Sequence, residues 1–163
     1  MQWMDAEVAD GLTLRIAVSP AGLRAIHFDC SGIPPSPDPD PENALLAETV
    51  EQLRAYFAGR LREFHLPLDM AGTGFQIQVW RQLLTIRYGE TCSYSFIARA
   101  IGRPAAVRAV GAANGANPIP IVVPCHRVIG ANGRLVGYGG GLPLKKRLLA
   151  LERIDETLPA LRG

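Results

Sequence analysis

The first half of the chain alternates short hydrophobic runs with turn residues, which is typical of a small β-sheet. Residues 12–18 (LTLRIAV) and 23–28 (LRAIHF) mix large apolar side chains with polar ones, and the sequence SPAG lies between them. This pattern predicts two strands joined by a turn. Residues 33–41 (IPPSPDPDP) contain five prolines, which exclude helix and sheet and predict a surface loop.

Residues 43–58 carry apolar side chains at the spacing of an amphipathic helix. Leu46, Val50, Leu53 and Phe57 are three or four positions apart, so they fall on one face, and the following glycine suits a helix end. A further strand is expected around residues 63–68. Together these elements predict a small α+β unit.

The second half has a helical pattern. Residues 74–87 place Phe75, Val79, Leu83 and Ile86 on one helical face. Two short helices are expected next, over residues 93–101 and 104–113, with Pro104 in the first turn of the second one. Their glycine-containing connection gives the outline of a helix-turn-helix. We expect an N-terminal domain of residues 1–72 and a C-terminal domain of residues 73–163.

Formal charge is divided unevenly between these halves. The 163-residue chain has a net charge of +2, but residues 1–71 sum to −6 and residues 72–163 sum to +8. A basic C-terminal half indicates a polyanionic partner such as DNA or RNA. A basic surface that faces only solvent would give the same charge, so this observation alone leaves both interpretations open.

Other sequence features bear on location. The chain has no run of about 18 apolar residues, and its acidic N-terminus lacks the apolar segment of a secretory signal. Three irregularly spaced cysteines, Cys30, Cys92 and Cys125, do not suggest a disulfide framework. These features favour a reducing, cytoplasmic location and no membrane partner.

Candidate catalytic side chains are concentrated between positions 117 and 141. Cys125 and His126 follow an apolar Ile-Val-Val-Pro run, which would hold a nucleophile still. A charge relay together with a helix N-terminus is expected to lower the thiol pKa by about three units, which takes roughly 4 kcal/mol. Glu152 is the best candidate to orient His126. A small, buried and unreactive cysteine beside a histidine would give the same pair, so the pair alone does not show that Cys125 is a nucleophile.

Around this segment the chain resembles the O6-alkylguanine-DNA alkyltransferases, especially the bacterial methylated-DNA–protein-cysteine methyltransferases. The resemblance covers roughly half of the chain, and its motifs stand in the family's order and spacing. They are PCHRVIG at 124–130, YGET at 88–91, SY at 93–94, RAVG at 108–111, NGANP at 114–118, GYGGGL at 137–142 and LLALE at 148–152.

The resemblance implies a ribonuclease-H-like N-terminal domain and a mostly helical C-terminal domain with a winged helix-turn-helix. It also implies direct-reversal DNA repair, in which a damaged guanine is flipped out of the duplex and Cys125 accepts its O6-alkyl group irreversibly. O4-alkylthymine is a second candidate substrate.

The resemblance also implies roles for individual residues. His126 would take the thiol proton through a water with Glu152 behind it, Asn117 would fix the turn, and Tyr94 would protonate the base. The reaction residues are thus Cys125, His126, Glu152, Asn117 and Tyr94. The implied DNA contacts are Arg108, which fills the vacated stack, with Tyr94, Ala109, Gly111 and Ala112. The implied base pocket is formed by Pro120, Val128, Tyr138, Gly139 and Gly140, with the Cys125 and Val128 carbonyls facing the guanine amino group.

Neither a metal nor a cofactor is expected. His27, Cys30 and His65 are the N-terminal candidates for a metal, and they form no paired-ligand motif. The expected partner is double-stranded DNA containing alkylated guanine, bound by a monomer. Two alternatives are a module that senses alkyl lesions without removing them, whose members lack the cysteine, and a Cys-His hydrolase, which would leave the basic half unexplained.

Overall fold

The computed structural model describes residues 1–29, 40, 42–130, 133, 137–153 and 161–162. The chain forms two compact units, Met1–Ala71 and Gly72–Gly163. Their division lies one residue before the boundary expected from the sequence. Among the described residues, no helix has the length and apolar character needed to cross a membrane.

The N-terminal unit is an antiparallel sheet covered by a helix. Strands β1 (Gln2–Ala9), β2 (Leu12–Ser19) and β3 (Gly22–His27) pair in that order, and α1 (Ala44–Phe57) packs on β1 and β2. Asn43 caps α1, because its side chain accepts a hydrogen bond from the Leu46 amide at 3.0 Å. The buried face of the helix then covers the apolar face of the sheet.

A glycine lets β3 begin against a neighbouring segment. Gly22 has a φ of 150°, and a Cβ atom there would lie 2.5 Å from the carbonyl oxygen of Pro67. The same carbonyl accepts a hydrogen bond from the Leu23 amide at 2.8 Å. This close approach of two backbones excludes a larger residue at position 22.

The C-terminal unit is mostly helical and contains a short parallel sheet. Its helices are α2 (Gly74–Leu83), α3 (Tyr94–Ala100), α4 (Val107–Gly115) and α5 (Leu142–Leu151). Its strands are β4 (Thr91–Ser93), β5 (Val128–Ile129) and β6 (Leu161–Arg162), which pair in the order β5-β4-β6.

Two interactions fix the helices of this unit. Thr73 and Gln76 form a capping box that begins α2. The indole Nε1 of buried Trp80 on α2 donates to the carbonyl of Ala113 on α4 at 2.8 Å. Helices α3 and α4 also pack on each other, across residues 101–106, as the predicted helix-turn-helix requires.

The predicted α+β class is confirmed, but several strand assignments differ. The sequence pattern does not predict β1 or the short strands β4, β5 and β6. Strand β1 has the alternation of a half-buried strand, but its only buried residues are Ala6 and Val8, and a pattern this short and weakly apolar does not indicate a strand by itself. The strand expected over residues 63–68 was wrong. That segment forms a single bridge, between Leu23 and Leu68, because Pro67 has no amide hydrogen to donate.

Two predicted helix boundaries and one buried position also differ. On α1, Tyr56 rather than Phe57 is buried. Helix α2 ends at Leu83, because the amide and hydroxyl of Thr85 both bond to the Gln82 carbonyl and close a turn. Helix α4 begins at Val107 rather than at residue 104, because the Ala106 amide bonds to the Arg103 carbonyl at 2.9 Å and closes a turn around the proline.

Candidate active site

A hydrogen-bonded turn fixes Cys125 at the end of a buried segment. The Asn117 side-chain amide donates to the Val123 carbonyl at 2.8 Å, and its oxygen accepts from the Ile119 amide at 3.0 Å. The Cys125 amide donates to the same Val123 carbonyl at 2.8 Å, across Pro124 with φ −81° and ψ 64°. These angles are those of an inverse γ-turn. Asn117 therefore contacts the turn that carries the thiol.

The same segment stores backbone strain. Ile121 is 1% exposed and has a φ of 73°, a left-handed conformation that β-branched residues rarely adopt. Such a conformation costs about 1–3 kcal/mol, so the surrounding structure must hold it. A turn closed by the Val123 amide on the Ile119 carbonyl at 2.9 Å encloses Ile121.

The Cys125 thiol is buried, and its burial decides its protonation. Only 4% of the residue is exposed. Burial raises the pKa of the Cys125 thiol to about 11, although an Asn117 hydrogen bond and the Lys145 charge oppose this. The expected lowering of the thiol pKa was therefore wrong for the DNA-free protein. The turn Cys125–Arg127 spans three residues, which is too short to supply a substantial helix dipole.

His126 and Glu152 form a buried hydrogen-bonded pair. The His126 Nε2 atom lies 2.8 Å from Oε2 of Glu152, and the histidine is fully buried. Burial lowers the pKa of His126, so the ring is neutral near neutral pH. A neutral ring that donates from Nε2 carries its lone pair on Nδ1. That Nδ1 atom is buried and has no hydrogen-bond partner among the described residues, which leaves it able to accept a proton.

Arg127 also binds Glu152, and the sequence gives it no role beyond its position in the PCHRVIG motif. Its Nε donates to Oε1 of Glu152 at 2.8 Å and its Nη2 donates to Oε2 at 3.0 Å, so the carboxylate is held in a bidentate pair. Its Nη1 donates to the Ile86 carbonyl at 2.6 Å. Burial would raise the pKa of Glu152, but its contacts with His126 and Arg127 outweigh that effect and lower the pKa to about 2.

Lys145 is a second buried cation that sequence reasoning missed. Its side chain is fully buried, and its Nζ donates to the Val128 carbonyl at 2.8 Å. The available signal is its phase on α5, since Lys145, Leu148 and Glu152 fall on one helical face. The Val128 carbonyl, predicted to face the guanine amino group, therefore already accepts a hydrogen bond from Lys145.

The predicted DNA-contacting residues lie on and beside α4. Arg108, Ala109 and Ala112 are exposed on this helix, and Gly111 is half-buried. A Cβ atom at Gly111 would lie 3.9 Å from Cδ1 of Tyr94, so the glycine leaves room for that ring. Tyr94, at the start of α3, is half-buried, and burial together with the nearby Cys125 sulfur raises its pKa.

The residues predicted to form the base pocket differ in exposure. Pro120 and Val128 are buried, Tyr138 and Gly140 are half-buried, and Gly139 is exposed. Burial of its hydroxyl, with the charges of Cys125 and Glu152, raises the pKa of Tyr138 well above its ordinary value. Tyr138 is thus within electrostatic reach of the thiol. The sequence assigns no role to Cys30 or Cys92. Cys30 lies outside the described residues, and Cys92 is buried in β4.

Two family models match the chain. The DNA-binding domain of 6-O-methylguanine DNA methyltransferase matches residues 74–154, and the ribonuclease-like domain of 6-O-methylguanine DNA methyltransferase matches residues 13–70. These two ranges fall in the two compact units.

Individual relatives agree with the family models. The methylated-DNA–protein-cysteine methyltransferase of Mycobacterium leprae (strain TN) is 63% identical over 113 residues, which cover 69% of this chain and 68% of the relative. That of Methanosarcina acetivorans is 56% identical over 117 residues, which cover 71% of this chain and 75% of the relative. The crystal structure of Mycobacterium tuberculosis OGT in complex with DNA gives a TM-score of 0.80 at 48% identity, covering 98% of this chain and 94% of the other. This chain belongs to the 6-O-methylguanine DNA methyltransferase family, as its motifs predict.

Proposed function

We propose that this chain repairs duplex DNA by direct reversal, moving the alkyl group of O6-alkylguanine to Cys125 once and irreversibly. One observation carries the proposal. The buried thiol of Cys125 directly precedes His126, whose ring is hydrogen-bonded to the buried carboxylate of Glu152. These groups supply a nucleophile, a base and an anion that orients the base. The activity is that of a methylated-DNA–protein-cysteine methyltransferase.

The substrate base must leave the duplex to meet this thiol. The O6 atom of a stacked guanine is out of reach of a residue that is 4% exposed, so the nucleotide is flipped into the protein. Arg108 is exposed on α4 between small residues, which leaves it free to enter the vacated stack. The net charge of +8 on residues 72–163 supports phosphate contacts that position the duplex without reading its sequence.

The proposed transfer is a single displacement. The Cys125 sulfur forms a bond to the alkyl carbon while the bond from that carbon to O6 breaks, and O6 keeps the electron pair. The thiol proton passes through a water to Nδ1 of His126. Tyr94 gives its hydroxyl proton to N3 of the departing guanine, which leaves neutral, and the proton on His126 later returns to Tyr94 through solvent. The thioether on Cys125 is stable, so each molecule reacts once.

The raised thiol pKa sets the order of these events. A thiol with a pKa of about 11 is protonated at neutral pH, so its proton is removed as the sulfur attacks rather than beforehand. Proton transfer to a neutral, buried His126 makes this possible. Asn117 keeps the turn in position during the reaction through its bond to the Val123 carbonyl.

The proposed base pocket completes the site. Pro120, Val128, Tyr138, Gly139 and Gly140 line it, and the Val128 and Cys125 carbonyls face the guanine amino group. The Cys125 carbonyl already accepts from the Val128 amide and, at 3.4 Å, from Nδ2 of Asn114, so the guanine amino group would replace the longer of these bonds.

We assign the reaction to a monomer, because one chain carries every residue that the proposed step uses. We assign it to the cytoplasm, because the irregularly spaced cysteines suggest no disulfide framework and fit a reducing compartment.

The direct test is intact-mass measurement after incubation with a duplex that contains one O6-methylguanine. We expect the mass to rise by one methyl group, found on the Cys125 peptide and not lost on long incubation. Cys125→Ser should bind the same duplex and gain no mass. An unchanged mass of the unaltered protein contradicts the proposal, and a methyl group that is added and then released indicates a hydrolase-like turnover.

A further inference from the structure

We propose that Arg127 is a positioning residue that makes His126, rather than Glu152, hold the thiol proton during the transfer step, by keeping Glu152 an anion. This inference deepens the proposed function and rests on it. Arg127 does not touch the substrate in this proposal. It acts on His126 through their shared carboxylate.

The geometry gives Arg127 this role. Its guanidinium donates to both oxygens of Glu152, at 2.8 Å and 3.0 Å, while His126 donates to Oε2 at 2.8 Å. The carboxylate therefore faces three donated hydrogen bonds, two of them from a group that does not lose its charge. A proton that arrived on Glu152 would have to displace one of these bonds.

The guanidinium is itself fixed from a different part of the unit. Its Nη1 donates to the Ile86 carbonyl, beyond the end of α2, at 2.6 Å, and the guanidinium carbon lies 5.8 Å from the centre of the Tyr88 ring. The Tyr88 hydroxyl in turn donates to the Leu151 carbonyl, next to Glu152, at 3.2 Å. Arg127 thus connects the segment after α2 to the Glu152 carboxylate at the end of α5, which is also the hydrogen-bond partner of His126.

Other charged groups act on the same pair and set the direction of the pH effect. His126 interacts with Glu152, Arg127 and Lys145, and Glu152 interacts with His126, Arg127 and the Tyr138 hydroxyl. The positive charges of Arg127 and Lys145 both lower the pKa of His126, whereas Glu152 raises it. Loss of the Arg127 charge therefore raises the pKa of His126, so the basic form of the ring is lost at a higher pH.

The proton balance follows from this arrangement. The thiol proton moves through a water to Nδ1 of His126, and the Nε2 proton stays on the imidazolium, bonded to Glu152. Glu152 keeps its negative charge throughout. Without Arg127, Glu152 becomes a stronger base, and the Nε2 proton can move to it.

The test is the single-turnover rate of methyl transfer to Cys125 as a function of pH, for the unaltered protein, R127Q and R127K. We expect the acid limb of the R127Q profile to move to higher pH by about one unit or more, because a neighbouring charge changes a pKa by about that amount. R127K keeps the charge and should keep the midpoint, with a lower maximal rate. R60Q removes the same charge from an exposed position of the N-terminal unit and should leave the profile unchanged.

An R127Q profile that is lowered at every pH without a shift of its midpoint overturns the proposal, because a merely structural role has that effect. Failure of the unaltered protein to gain a methyl group contradicts the proposed function instead. Should R127Q not fold, the test becomes R127K in the unaltered and the E152Q backgrounds. We expect R127K to slow transfer only where Glu152 is present, and equal losses in both backgrounds overturn the proposal.

Discussion

The ammonium group of Lys145 donates a hydrogen bond to the carbonyl oxygen of Val128 at 2.8 Å, and both residues are fully buried. Burial lowers the pKa of this lysine, while the Cys125 sulfur opposes that effect. A buried cation is retained at such a position only when it has acceptors or a negative partner. The Val128 carbonyl in β5 is such an acceptor for Lys145, and the Cys125 sulfur is a negative partner whenever it is ionised.

Lys145→Met is expected to make the Cys125 thiol less acidic. Because the lysine charge lowers the thiol pKa, its loss raises that pKa further, and the thiolate fraction at a given pH falls by roughly tenfold for each unit. The measurement is the pH dependence of the iodoacetamide reaction of Cys125 in DNA-free protein. Lys146→Met, at the neighbouring exposed position, is the control and should leave that dependence unchanged. An identical curve for both variants contradicts the electrostatic role of Lys145.

Arg108→Ala should impair repair of duplex DNA far more than reaction with the free base. Flipping a nucleotide costs a few kcal/mol, and an inserted side chain that offsets about 1.4 kcal/mol of that cost changes the rate about tenfold. We expect a loss of that size or more on a duplex containing O6-methylguanine. Free O6-benzylguanine needs no flipping, so its reaction rate should be nearly unchanged. Equal losses on the two substrates would show that Arg108 does not fill the stack.

Tyr94→Phe should slow the transfer step itself. The variant keeps the ring that packs beside Gly111 but loses the hydroxyl proton that the departing guanine takes. General acid catalysis contributes about 100-fold or more, so a loss of that order is expected in the single-turnover rate at saturating protein. Binding to undamaged duplex should change little. A rate equal to that of the unaltered protein would require another proton donor for the base.

Stability should fall in acid because of Glu152 and His126. The pKa of Glu152 is about 2 in the folded protein and 4.5 ordinarily, so its stabilisation is complete above 4.5 and is lost as pH falls towards 2. This loss amounts to about 3 kcal/mol. The pKa of His126 is also lowered, so protonation of the unfolded chain begins to destabilise the fold below about pH 6.5. Denaturant unfolding at a series of pH values measures both effects.

The matched variant for that experiment is Glu152→Gln. It should be less stable than the unaltered protein at neutral pH, because the Arg127 charge then stays buried without its partner. It should also lack the part of the acid destabilisation that lies below pH 4.5, where Glu152 is expected to titrate. Parallel stability curves for the two proteins would rule out Glu152 as the titrating group.

The sequence predicts those parts of the site that follow from local order. Cys125 and His126 are adjacent, and α4 carries Arg108 among small residues, so their placement needs only the correct local elements. Glu152 could be proposed because carboxylates are scarce in the C-terminal half. Its contact with His126 depends on the return of α5 to the turn at residues 125–127, which short-range periodicity does not encode.

The remaining features depend on packing between distant segments. Arg127 meets Ile86 and Glu152 only after three separate parts of the chain come together. Lys145 looks in sequence like its exposed neighbour Lys146, and only the phase of α5 distinguishes the two. The raised pKa of Cys125 results from complete enclosure of the thiol, whereas motif reasoning considers the neighbouring charges alone.

Burial of Cys125 also determines how well a molecule that has not yet reacted resists oxidation of its thiol. Peroxides and small electrophiles attack exposed thiolates, and this sulfur is neither exposed nor ionised before a damaged base arrives. In a protein that reacts only once, oxidation of the acceptor sulfur before it meets a damaged base removes that molecule from repair. Burial of the protonated thiol in the DNA-free protein therefore slows its oxidation and keeps unreacted molecules competent for transfer.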